Sequence, residues 1–190
     1  MVATLQLDPK TTALIIIDLQ RGIVAMPTAP YSSIDVVEKC ARLAGTFRNQ
    51  GAPVVYVRVD MANMLDLPVD APSRPPGSAP PAAEFSELIP EAGFQAGDLL
   101  ITKRSWGAFG GTDLERLLRE RGTRTVVIGG IATNFGVEST ARCARDLGFA
   151  VVLAEDAMTS LSAEAHQFAV QNIFPRLGRV RKTEEIVLSA

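Results

Sequence analysis

The chain has 190 residues, 47% hydrophobic and 21% charged, with a net charge of −2. That suits a single domain spanning 1–190 with a sizeable core, and so slight a charge gives no reason to expect nucleic acid or an acidic membrane surface as partner. The apolar run Ala13 to Ile17 is far too short to span a bilayer, and the first ten residues hold no basic segment leading into an apolar one, so no signal peptide is expected.

Ala13-Leu14-Ile15-Ile16-Ile17 is a β-branched run that stops at Asp18, the pattern of a central parallel strand covered on both faces. Leu19 to Pro30 is expected to be a loop. From about Ile34 to Gln50 the residues Val37, Cys40, Ala41, Ala44 and Phe47 recur at helical intervals, and Gly51 ends the pattern. Pro53 to Val59 reads as a second strand, giving a right-handed crossover. Asp66 to Pro81 carries six prolines and little apolar content. A loop of this length is functional or disordered as a rule, and the expectation is that it covers a crevice or packs on a neighbouring subunit.

Phe85 to Ile89 suits a short helix before Pro90, and Asp98 to Thr102 a third strand ending at Lys103. Thr112-Asp113-Leu114-Glu115 has capping-box spacing, opening a helix that buries Leu114, Leu117 and Leu118 and stops at Gly122. Val126 to Ile128 is the fourth strand. Gly129 and Gly130 then break it, and Val137, Thr140, Ala141, Ala144 and Leu147 define a helix that ends at Gly148. Ala150 to Ala154 is the fifth strand, followed by a polar turn at Glu155-Asp156 in which Asp156 caps its own backbone. Leu161, Ala165, Phe168, Ala169 and Ile173 mark the next helix. A short strand near Val180 and a helical turn from Glu184 to Leu188 close the chain. Strands alternating with helices mean a three-layer, doubly wound α/β sandwich.

Three strand ends carry chemistry: Asp18, Lys103, and the turn leading to Gly136. In a parallel sheet such ends converge on the crevice where ligands bind, and the first amides of the helix after the turn favour negative charge there. On residue type alone Asp18 also suits a cap or turn, and a buried Asp–Lys pair also suits a structural role. Trp106 and Phe109 suit either a loop folded onto the core or an apolar pocket wall. Gln20 and Thr133 are candidate polar contacts. Ser139 and Thr140 read as helix residues, with no His placed to activate them. His166, the one histidine, reads as part of a solvated helix face, and Glu138 and Arg142 as a helical ion pair. Cys40 and Cys143 are isolated in predicted helices, which suits free thiols in a reducing cytoplasm.

Leu14-Ile15-Ile16-Ile17-Asp18-Leu19-Gln20, Lys103-Arg104-Ser105-Trp106-Gly107-Ala108-Phe109 and Gly130-Ile131-Ala132-Thr133-Asn134-Phe135-Gly136-Val137-Glu138-Ser139-Thr140-Ala141-Arg142 resemble the three signatures of the isochorismatase-like hydrolases, within the cysteine hydrolase superfamily. The resemblance runs from about Thr12 to Leu188. It implies a Rossmann-like, mostly parallel six-stranded sheet in the order 3-2-1-4-5-6, with the site between strands one and four. In the family's amidohydrolases an Asp is the general base, a Lys stabilises charge and a Cys is the nucleophile. Asp18 and Lys103 match the first two, and Gly136 stands at the Cys position.

Glycine has no side chain to attack with. Cys143 cannot substitute, lying seven residues or roughly 10 Å along the helix, and Cys40 reads as a buried hydrophobe. Nicotinamidase-like and carbamoyl-cleaving activities that need the thiol are therefore disfavoured. The family's true isochorismatases also carry glycine here and hydrolyse a vinyl ether, releasing pyruvate, which assigns Asp18 as proton donor and Lys103 as its partner. The resemblance further implies a non-proline cis peptide at Ile131–Ala132 that turns backbone amides into the site, so that Ile131, Ala132, Thr133 and Phe135 surround the substrate. It implies a homo-oligomer, dimer or tetramer. Zinc-using relatives carry Asp-x-His after the second strand where this chain has Asp60-Met61-Ala62, so no metal and no cofactor are expected. The competing expectations are a family member that binds ligand without turnover, and a C–N amide hydrolase using water directly.

Overall fold

A computed structural model describes residues 4–72, 74, 75 and 77–189. In chain order the regular elements are β1 (Leu5–Leu7), β2 (Thr12–Ile17), α1 (Arg21–Val24), α2 (Ser33–Asn49), β3 (Val54–Val59), β4 (Leu99–Lys103), α3 (Leu114–Glu120), β5 (Thr125–Ile131), α4 (Glu138–Asp146), β6 (Ala150–Thr159), α5 (Ala163–Phe168), α6 (Phe174–Leu177), β7 (Arg179–Arg181) and β8 (Ile186–Leu188). Six of the strands form one sheet, β4-β3-β2-β5-β6-β7, in which every neighbouring pair is parallel. This is the expected order 3-2-1-4-5-6.

Side chains alternate between the two faces of each strand, so each strand feeds two cores. Leu14, Ile16, Val54, Tyr56 and Val127 pack with Val37, Cys40, Ala44 and Phe47 of α2. Ala13, Ile15, Ile17, Val55, Val57 and Ile128 pack on the other face with Leu114 and Leu118 of α3, Ala141 and Ala144 of α4, and Phe174. Burial on both faces is why these strands read as unbroken aliphatic runs, each enclosed side chain contributing about 1.5–3 kcal/mol. Helix α2 starts where Ser32 Oγ accepts from the Asp35 amide at 3.1 Å. Among the described residues no helix is long and apolar enough to cross a membrane.

Several elements depart from expectation. The expected helical turn at Glu184–Leu188 is a 3₁₀ turn at Thr183–Glu185 followed by β8, which pairs in parallel with β1 as a separate two-stranded sheet. The expected polar turn at Glu155-Asp156 lies inside β6, because the register against β5 slips between Ile128 and Gly130 and the strand bulges there. Asp156 does not cap its own backbone. It accepts from Lys39 Nζ at 2.6 Å and from the Thr183 amide at 2.7 Å, tying the C-terminal segment to α2. Helix α3 begins at Leu114 without a capping box: the Thr112 hydroxyl donates to the Ala108 carbonyl at 2.6 Å, and Glu115 pairs with Arg119. The Leu19–Pro30 loop contains α1 and a cis Ala29–Pro30 bond, and the short helix expected at Phe85–Ile89 is a 3₁₀ turn at Ala83–Ser86. Leu161 and Phe168 are exposed, since α5 starts only at Ala163 and turns His166 and Ala169 inward. The expectation for Asp66–Pro81 falls partly outside the described residues, at Ser73 and Pro76. Around them Leu67 and Val69 stand in solvent.

One glycine is demanded by the join between β2 and β5. Gly130 has φ +117°, and a Cβ there would press into the Ile17 backbone. Gly130→Ala is therefore expected to cost about 3 kcal/mol or more. Calorimetry should show a fall in the unfolding midpoint of about 10 °C for a chain of this size.

Candidate active site

The sheet's winding reverses between β2 and β5, and the crevice at the carboxyl ends of those strands is where the expected residues meet. Asp18 follows β2 directly. Its amide donates to the Val57 carbonyl at 2.8 Å, and its φ of +54° makes it, among the described residues, the one non-glycine residue in left-handed backbone. Asp tolerates that conformation better than most residues, and such outliers gather at functional sites. Lys103 ends β4, two strands away. Neighbouring strands are about 4.8 Å apart, so only a long extended side chain spans that gap. Lys103 Nζ reaches Asp18 Oδ2 at 2.8 Å and also donates to the Trp106 carbonyl at 2.6 Å.

Both side chains are shut away from water, with 2% and 7% of their surfaces exposed. Asp18 Oδ1 is buried without a hydrogen-bond partner. Burial pushes the Asp18 carboxyl up from 3.8 to about 6, and the Lys103 ammonium opposes that rise without cancelling it. The pair thus holds a carboxyl that titrates near neutrality, fixed at one oxygen and unengaged at the other.

Gly136 faces the pair. A Cβ built on it would lie 3.0 Å from Ile17 Cγ2, 3.1 Å from Lys103 Nζ and 3.2 Å from Asp18 Oδ2. It sits in a π-helical turn, Thr133–Val137, that precedes α4. The peptide Ile131–Ala132 is cis, as the resemblance implied. Three side chains tether this turn. Thr140 Oγ1 donates to the Gly136 carbonyl at 2.6 Å and accepts from the Ala108 amide at 3.1 Å, the Ser160 hydroxyl donates to Asn134 Oδ1, and Thr133 Oγ1 lies 2.8 Å from His166 Nδ1.

The remaining expected residues divide. Trp106 and Phe135 meet edge to face at 5.0 Å and are both exposed in part, forming an apolar rim. Phe109 is not a pocket wall: it is buried and stacks on Phe149. Gln20 is not a free polar contact, because its amide donates to the Val59 and Phe85 carbonyls and accepts from the Val59 amide, stitching the loop to β3. Ile131 turns its side chain into the core, and Ala132 is half-buried. Thr133 is fully enclosed. His166 does not lie on a solvated face; it is 2% exposed and joined to Thr133. The signal for this was its spacing of three and seven from Ala169 and Ile173, on the inward stripe of its helix. Cys40 is buried in the core as expected, and Glu138 pairs with Arg142 at 2.9 Å. Among the described residues no three His, Cys, Asp or Glu side chains are grouped to hold a metal ion.

A doubly wound parallel α/β protein with an enclosed acid–base pair at its switch point is the class these features define. Residues 12–185 match the family model described as the isochorismatase domain. The chain is 49% identical over 188 residues to the isochorismatase family protein YecD of Escherichia coli O157:H7, covering 96% of this chain and 98% of that one. It superposes on the structure of an isochorismatase family protein from Burkholderia thailandensis with a TM-score of 0.90 at 43% identity, covering 97% of each chain. It also resembles the N-carbamoylsarcosine amidase of Thermoplasma acidophilum, with a TM-score of 0.73 at 25% identity over 92% of this chain and 97% of that one. The chain belongs to the isochorismatase family, and it is a hydrolase.

If burial raises the Asp18 carboxyl and Lys103 restrains it, Lys103→Met leaves burial unopposed. The Asp18 carboxyl carbon, followed by NMR, should then titrate above the wild-type value of about 6. The native state binds this proton more tightly than the unfolded chain, so the group's contribution to stability falls as pH rises from about 4 toward 6 and is lost above it. Urea unfolding across that window should show the decline in the parent and its absence in Asp18→Asn.

Proposed function

We propose that the chain hydrolyses a small anionic vinyl ether of the isochorismate type by acid–base catalysis, without a covalent intermediate. The observation that carries this reading is the enclosed Asp18 carboxyl, held at Oδ2 by Lys103 and pushed up by burial to about 6. A carboxyl of that kind is protonated often enough near pH 6 to act as an acid and ionised often enough to recover the proton.

Protonated Asp18 delivers its proton to the terminal methylene carbon of the enol ether. Water adds to the resulting oxocarbenium-like carbon and returns a proton to the carboxylate, and the hemiketal collapses to the alcohol and pyruvate. Lys103 steadies the carboxylate and offsets the substrate's charge. The turn from Ala132 to Gly136 borders the substrate, and Trp106 with Phe135 forms the apolar rim. Gly136 takes the place where the family's amidohydrolases carry the cysteine. The close fit there supports the same reading, because a Cβ would stand 3.1 Å from Lys103 Nζ and 3.2 Å from Asp18 Oδ2, tighter than an ordinary contact. A second reading, cleavage of a C–N bond by water with Asp18 as base, draws its support from the likeness to a carbamoyl amidase.

Turnover of isochorismate, followed by pyruvate release, is expected to fall as pH rises through about 6, the value at which Asp18 ionises. Asp18→Asn should lower kcat by about 10² or more and abolish that limb. Lys103→Ala should also reduce turnover. Undiminished turnover in Asp18→Asn would overturn the acid role, and ammonia release from carbamoyl amides with none of pyruvate from isochorismate would favour the second reading.

Gly136→Ala tests the crowding separately. Its Cβ is expected to shift Lys103 Nζ and the Asp18 carboxylate by a few tenths of an ångström and to lower kcat by roughly a few-fold, since even small misplacement has kinetic effects. A crystal structure of the variant would check the shift directly.

A further inference from the structure

His166 has no part in the proposed reaction, yet it is buried at 2% exposure beside the turn that carries the site. Its Nδ1 lies 2.8 Å from Thr133 Oγ1, and Thr133 follows Ala132 and opens the turn ending at Gly136. On the other side, Nε2 faces Glu155 Oε1 at 3.7 Å. That same oxygen accepts the Tyr31 hydroxyl at 2.7 Å, and the Tyr31 ring meets the imidazole edge to face at 5.7 Å. Three segments distant in sequence thus converge on one imidazole.

The donors and acceptors determine the tautomer. A carboxylate opposite Nε2 favours the proton there, which leaves Nδ1 as an acceptor for the Thr133 hydroxyl. Glu155 remains a carboxylate, because His166 and, in smaller measure, the Tyr31 hydroxyl hold it below the ordinary Glu range against the effect of burial. The other charges close by are Lys182, which acts on Glu155, and Lys39, whose ammonium lies over the Tyr31 ring at 5.6 Å and is paired with Asp156 at 2.6 Å.

We propose that His166 is a positioning residue for the active-site turn: neutral, it accepts from Thr133 and holds the turn, and on protonation the hydrogen bond reverses and the Thr133 hydroxyl is released to point elsewhere. The reversal follows from valence alone. An imidazolium has N–H at both nitrogens, so Nδ1 turns from acceptor to donor and Thr133 Oγ1 from donor to acceptor. This rests on the reading of the Ala132–Gly136 turn as part of the site.

Because the chain has one histidine, its imidazole spectrum is unambiguous. In the full chain, ¹H–¹⁵N correlation is expected to show the Nε2–H tautomer, with the Nδ1 shift altered in Thr133→Val. In an Asp18→Asn background, where Asp18 no longer titrates, the backbone amides from Thr133 to Gly136 should move with the imidazole midpoint, and Thr133→Val should uncouple them. An Nδ1–H tautomer, or turn amides indifferent to the imidazole, would overturn the proposal whether or not isochorismate is the substrate. On isochorismate, His166→Gln, which cannot place an acceptor at the Nδ1 position, should lose about tenfold in kcat, as for one hydrogen bond. His166→Asn, which keeps a polar atom there, should recover most of that loss. Equal kcat in His166→Gln and the parent would overturn the positioning role.

Discussion

A carboxylate and an ammonium taken out of water and set against each other govern the arrangement of everything around them. Desolvating two ions costs several kcal/mol each after relaxation, and their attraction offsets this only when the geometry is good and their remaining hydrogen-bonding groups are met. Lys103 meets the condition, with the Trp106 carbonyl as a second acceptor. Asp18 meets it at one oxygen only. Burial is what raises its affinity for a proton, and Lys103 opposes that rise only in part, so the cost of enclosing the pair and its fitness for acid–base work are linked. The sheet order is a precondition: with β3 between them, the ends of β2 and β4 stand apart by the reach of one lysine.

The turn after β5 shows a different kind of dependence. Its backbone follows no single regular pattern, passing from a cis peptide through a π-helical turn into α4. What holds it are side-chain bonds from Ser160 just after β6, from α5 and from α4, the last braced in turn by the Ala108 amide in the loop after β4. None of these partners adjoins the turn in sequence except Thr140. The site's precision is thus a tertiary property, distributed over residues that take no part in the chemistry.

That distribution explains which features were legible in the sequence. The buried strands announced themselves because burial on both faces demands unbroken aliphatic runs, and Asp18 and Lys103 stood out as polar residues ending such runs. The local patterns that failed did so where a longer-range partner outcompeted a local one. Thr112 had the spacing of a cap but gave its hydroxyl to Ala108, and Asp156 had the look of a turn former but was taken by Lys39 and Thr183. Gln20 and Phe109 turn their side chains onto β3 and onto Phe149, because strand-end loops have an inner side as well as an outer one. His166 was misjudged because polar residues usually face water, whereas its acceptor and donor needs are met inside by Thr133 and Glu155.

Gly136 then draws the two halves of the site together. A Cβ at this place would stand 3.1 Å from Lys103 Nζ and 3.2 Å from Asp18 Oδ2. A side chain there would ask the end of Lys103 and the Asp18 carboxylate to yield by a few tenths of an ångström. Under the proposed reading, a site with glycine at this place relies on a carboxyl that gives and recovers one proton, which suits a substrate whose carbon needs protonation, not one whose carbonyl needs a nucleophile.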